Sequence, residues 1–156
     1  MKYLIGPIMW FVRLTWGILD SLIGLFIFLF FVIRYGGKLK IGYVAHTIVV
    51  ELPHSVTDAG WGLSSGLFIF SNSNSIWNRD YLLFHEWGHS WPQLLATGPL
   101  HPFLVAIPST IRFWWRIAQQ KKGKALPPYD SIWFEGTATV WGTNWFKYGI
   151  QKGWWE

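Results

Sequence analysis

The sequence predicts an α+β protein with an N-terminal transmembrane helix. Three features carry this: an almost wholly apolar stretch at residues 17–33, two β-branched or aromatic runs at 41–52 and 66–71, and helical patterning from about Tyr81 onward. Composition agrees. Hydrophobic residues make up 51% of the 156 residues and charged residues 13%, about half the charge of an ordinary soluble domain. The 13 tryptophans suit a chain lying where one edge of the indole meets lipid and the other meets water. There is no cysteine, which excludes disulfides and thiolate metal ligands. Any metal would be held by His, Asp, Glu and water.

Taken in order, residues 17–33 (GILDSLIGLFIFLFFVI) would reach about 25 Å as a helix, enough to cross a hydrocarbon core. Trp16 and Tyr35 bracket the stretch as interface anchors. Asp20 lies near one end, and Arg13, seven residues earlier on the same helical face, is positioned to pair with it. The long segment before the apolar run, and the lack of a small-x-small site after it, argue against a cleaved signal peptide. Arg34, Lys38 and Lys40 follow the span, against Lys2 and Arg13 before it. The positive-inside rule therefore points to a single pass with a cytoplasmic C-terminal domain. Residues 1–40 form the anchor with its flanks, and 41–156 the domain.

Residues 41–52 (IGYVAHTIVVEL) read as one strand ending at Pro53, 54–60 as a turn, and 66–71 (GLFIFS) as a second strand pairing with the first. A polar run, 71–75, closes it. Pro92 kinks or ends the helix that starts near Tyr81. Residues 100–117 are broken by Pro102 and Pro108 into a short re-entrant or surface helix pair, 123–128 are a linker, and 131–149 a final helix. The net charge of +5 is concentrated in Arg112, Arg116, Lys121, Lys122 and Lys124, with Trp114 and Trp115 among them. In so apolar a chain this run reads as a segment resting on anionic lipid rather than on nucleic acid.

The chemistry centres on His85-Glu86-Trp87-Gly88-His89. On a helix, residues i and i+4 share a face, so both imidazoles reach one zinc ion. Glu86 is then placed to take a proton from a zinc-activated water as general base and to return it to the leaving amine. Asp80 is expected to cap this helix, Leu82 and Leu83 to face the core, and Gly88 to give room beside the metal. For the third ligand, a histidine at position 95 would continue the pattern HExxHxxGxxH, but Leu95 stands there. No glutamate lies near Ser109. Glu135, in Trp133-Phe134-Glu135-Gly136-Thr137-Ala138 at the start of the last helix, is the best remaining candidate, and Asp130 is the fallback. His101 could approach the site and steady an oxyanion, as could Tyr129 or Tyr148. His46 and His54 read as satisfied or exposed histidines.

HEWGH followed by WFEGTA resembles the gluzincin branch of the zincins, in which a second helix supplies a glutamate ligand. The stretch GLSSGLFIFSN…LLFHEWGHSWPQLL…GPLHPFLVAIPSTI also resembles small bacterial and phage membrane proteins of zincin type. The resemblance covers roughly residues 60–146. It implies a minimal zincin-like domain of short sheet, HExxH helix and glutamate-bearing helix. One catalytic Zn²⁺ would be bound by His85, His89 and Glu135, with Glu86 as base, and residues 66–71 would be either the edge strand along which a peptide is laid or an ordinary core strand. The expected activity is cleavage of peptide bonds near the bilayer, in a peptide or membrane-protein substrate, with the lipid bilayer as partner and no nucleic acid. The alternative is a catalytically silent zincin-like membrane protein with a structural or interaction role, favoured by the small size and the lack of a substrate subdomain.

Overall fold

A computed structural model describes residues 2–53, 61–72 and 81–155. The turn expected at 54–60, His54, the end of the polar run at 73–75 and the Asp80 cap lie outside the described residues. The chain is α+β. Two helices, α1 (Lys2–Thr15) and α2 (Ile18–Tyr35), precede four short strands: β1 (Lys40–Val44), β2 (Thr47–Glu51), β3 (Gly62–Ser65) and β4 (Phe68–Ser71). Then follow α3 (Tyr81–Gly88), α4 (Leu94–Thr97), α5 (Ile107–Gln120) and α6 (Trp133–Gln151). The sheet order is β1-β2-β4-β3, with β2 and β4 parallel and the outer pairs antiparallel.

Alternation along the central strands explains why both faces of the sheet are covered. Val49 and Ile69 point to one side, where they join Met9 of α1, Leu83 and Trp87 of α3 and Phe146 of α6. Val50, Phe68 and Phe70 point to the other, where Ile27, Phe28 and Phe31 of α2 pack on them. Phe28 stacks on Phe68 at 5.4 Å and Phe31 meets Phe70 at 5.6 Å. The opposite face of α2 leaves Leu22, Phe26, Leu29 and Phe30 exposed. With the turn that follows it, Ile18–Lys38 is long and apolar enough to cross a membrane. The segments Tyr81–Leu100 and Pro102–Gln120 meet at a bend of 110°; the break falls at Pro102, while Pro108 lies within α5 and does not divide it.

Several expectations are corrected. Residues 41–52 are two strands, folded back at Ala45 and His46, which adopt φ of 46° and 60°. Ala45 disfavours that region and His46 tolerates it only somewhat better than most residues, so the sequence carries little turn signal. Tertiary contacts hold the turn instead: Arg13 Nη1 donates to the His46 carbonyl at 2.7 Å and Trp87 Nε1 to that of Ala45 at 3.2 Å. Residues 66–71 are not one strand either. Gly66, at φ +56°, and Leu67 make the turn of a hairpin, so β4 is internal and β3 is the edge strand. Arg13 does not pair with Asp20. It lies fully buried, donating to the Ser90 carbonyl and hydroxyl at 3.1 and 3.0 Å, while Asp20 meets His101. Pro92 does not end its helix. The chain widens into a π-turn over His89–Gln93 and continues into α4, which relieves the clash a proline ring makes one turn back.

Gly88 serves helix packing rather than the metal. A Cβ there would strike the carbonyl oxygen of Ala138, and one at Gly142 would strike that of Phe84. These two glycines bring the backbones of α3 and α6 into contact. Gly88→Ala should therefore force the helices apart and lower stability by about 1–3 kcal/mol. The drop should be read as a lower melting midpoint of the detergent-solubilised protein. An unchanged midpoint would show that the helices separate without cost.

Candidate metal centre

The α3–α6 contact places Glu135, at the start of α6, against the histidines of α3. His85 Nε2 and His89 Nε2 lie 3.2 Å apart, and Glu135 Oε2 lies 3.2 Å from the first and 3.3 Å from the second. All three residues are buried, and the cluster could hold a metal ion. The spacing is itself a fit test. Ligands held about 2.0–2.1 Å from a tetrahedral ion are about 3.3–3.4 Å from one another.

The hydrogen bonds behind the ligands set their protonation. Gln93 Nε2 donates to the Phe134 carbonyl and to Thr137 Oγ1. A carbonyl only accepts, so the Gln93 amide is oriented and its Oε1 faces His89 Nδ1 at 2.6 Å. Nδ1 of His89 thus carries the hydrogen and Nε2 presents a lone pair. On the other side, His85 Nδ1 lies 2.8 Å from Thr139 Oγ1, and Thr139 lies 3.3 Å from the Tyr81 hydroxyl. Tyr81 donates to Asp130 at 2.7 Å. Its single proton is committed there, so the Thr139 hydroxyl donates to Tyr81 and accepts from His85. Ser109 Oγ donates to the other Glu135 oxygen at 2.6 Å. Such partners orient ligands and raise their basicity.

The electrostatics favour a cation. Burial would raise the Glu135 carboxyl, but the adjacent His85 and His89 imidazoles and the hydrogen bond from Ser109 overcome it and hold the group below the usual carboxylate range. Burial would lower the His85 imidazole; the Glu135 and Glu86 carboxylates reverse that and raise it. Glu86 lines the same cavity. Burial raises its carboxyl despite the adjacent histidines and a hydrogen bond from Ser64. Such a group holds a proton more readily than an ordinary glutamate. Gly62 of the edge strand lies directly on it, and a Cβ there would strike Glu86 Oε1.

Other candidates sort themselves by position. His101 lines the cavity, with Nδ1 2.5 Å from Asp20 Oδ2 but outside hydrogen-bond geometry, and neither of its buried ring nitrogens has a hydrogen-bond partner among the described residues. Tyr129 lines it too, its hydroxyl kept protonated by burial and then by the Glu135 charge. Tyr148 instead packs on Trp154. Asp130 is taken by Tyr81 and stands outside the cluster. His46 lies within reach of Tyr43 and the Trp154 carbonyl, away from the site.

Sequence reasoning missed Gln93, Thr139 and Ser109. Gln93 and Thr139 had a signal: each follows a ligand by four residues, on the same helical face. Ser109 had none. The basic run also divides. Arg112 donates to the Tyr129 carbonyl at 3.0 Å and Arg116 to that of Pro127 at 2.8 Å, and both guanidiniums lie over the Tyr129 ring. They clamp the Tyr129 loop, leaving Lys121, Lys122 and Lys124 exposed.

Gln93→Ala should weaken metal binding at this cluster roughly 10–100-fold by freeing the His89 tautomer, measured by competition with a chromophoric chelator. An unchanged affinity would mean that Gln93 does not orient the ligand. Neither a protein family, nor a curated protein, nor a solved structure matches this chain.

Proposed function

We propose that the chain is a membrane-anchored zinc metallopeptidase of zincin type, with His85, His89 and Glu135 as ligands and Glu86 as general base. The observation that carries this reading is the triangle of three ligand atoms 3.2–3.3 Å apart with a fourth, protonatable side chain in the same cavity. Two imidazoles and a carboxylate suit zinc with one position open to solvent or substrate. When bound, the ion supplies Lewis acidity, activating a water and polarising the scissile carbonyl.

The protein's own groups do the rest. Glu86 accepts the proton of the attacking water and passes it to the leaving amine. His101 and Tyr129 line the same cavity and are placed to donate to the oxygen that gains negative charge. Asp20 of α2 lies 2.5 Å from His101 Nδ1, where its charge would favour a donating ring. The outer edge of β3, whose Gly62 abuts Glu86, offers its backbone to an extended peptide.

Metal removal tests the reading. The detergent-solubilised protein should carry about one zinc per chain. It should cleave a library of apolar peptides, lose that activity with a chelator, and regain it with stoichiometric zinc. Stoichiometric zinc without cleavage of any peptide would favour the silent scaffold instead. Absence of zinc binding would overturn the site.

A further inference from the structure

The outer face of α5 and the turn before it has no role in the metal centre. Leu100, Phe103, Leu104, Ile107, Ile111 and Trp114 are all exposed, Ile111 by 63% and Trp114 by 61%. They recur every three or four residues, so they form one continuous apolar stripe. The opposite face is committed inward. Ser109 bonds Glu135, and Arg112 and Arg116 clamp the Tyr129 loop. The helix is therefore amphipathic with its apolar side turned away from the protein.

We infer that this stripe seats in the headgroup–acyl boundary of an anionic bilayer, a membrane contact separate from α2. Charge selects the occupant. Lys121, Lys122 and Lys124 are exposed where the stripe ends, and no acidic residue occurs from Trp87 to Tyr129. Apolar residues on one face followed by lysines are what an interfacial helix on anionic lipid needs.

The position of the bend agrees. Gly98 packs on Trp16 and Gly17 on Leu94, so the start of the stripe adjoins the N-terminal end of α2, where a spanning helix meets the interface. Trp114 also lines a cavity of about 330 Å³ with Trp61, Leu63, Phe113 and Tyr129. Ser109, Gly62 and Tyr129 belong both to that cavity and to the metal-site cavity. The apolar approach to the site thus opens at the level of the lipid surface.

The absence of native cysteine makes the test direct. Spin labels at Phe103→Cys, Ile111→Cys and Lys122→Cys are placed on the full chain, reconstituted into vesicles of phosphatidylcholine with phosphatidylglycerol. Labels at 103 and 111 should be relaxed by oxygen and shielded from a water-soluble nickel complex, with the reverse at 122. Shielding at 111 should weaken in pure phosphatidylcholine or high salt. Free access of nickel at 103 and 111 would overturn the proposal. So would exclusion of both reagents there, which would mean a protein partner or a second copy covers the stripe.

Discussion

At the proposed zinc site, Glu135→Ala should abolish metal binding while leaving α6 folded. The substitution removes one of three ligands and leaves two imidazoles whose Nε2 atoms lie 3.2 Å apart with no anion between them. Loss of a supporting partner alone weakens a metal site by roughly 10–100-fold, so loss of a ligand should exceed that. Elemental analysis after dialysis should fall from about one zinc per chain to near zero. Glu135→Asp, which keeps the charge but shortens the reach, should fall between. Stoichiometric zinc in Glu135→Ala would remove this residue from the ligand set. Asp130 could then serve only by breaking its bonds to Tyr81.

Glu86→Gln should keep zinc at the wild-type level and abolish cleavage, a loss of roughly 10²–10⁴-fold for a general base. The substitution preserves shape beside Gly62, where the contact is tight, so packing gives no competing explanation. The amide cannot accept the proton of the attacking water. Cleavage at the wild-type rate would show that Glu86 is not the base. Loss of zinc together with activity would show that Glu86 helps to build the site. The pair of variants therefore separates binding from chemistry.

Much of the helical architecture was legible in the sequence. An almost wholly apolar run of 17 residues allows little but a helix, and its observed course, Ile18–Tyr35, follows from that. The i, i+4 spacing of His85 and His89 put both rings on one face before any coordinates. The sheet was harder. The alternation in TIVVE and FIFS marks strands, but little in the local sequence marks the reversal at Ala45–His46. Arg13, Ser90 and Trp87 belong to other elements, and their contacts make that turn worthwhile. For the same reason the edge position of β3 was invisible. Strand order depends on which chain segments meet, and a hairpin turn at Gly66 looks locally like the start of a strand.

By itself, the sequence determined the kind of donor available, the one helix able to bring two histidines together, and an N-terminal helix apolar enough to cross a membrane. These follow from composition and from the periods of helix and strand, which act over a few residues. Only the tertiary structure decided that Glu135 meets the histidines, that Gln93, Thr139 and Ser109 orient the three ligands, and that Asp20 answers His101 rather than Arg13. Those outcomes turn on the close approach of α3 and α6 at Gly88 and Gly142 and on packing between residues far apart in the chain. No local propensity encodes such packing.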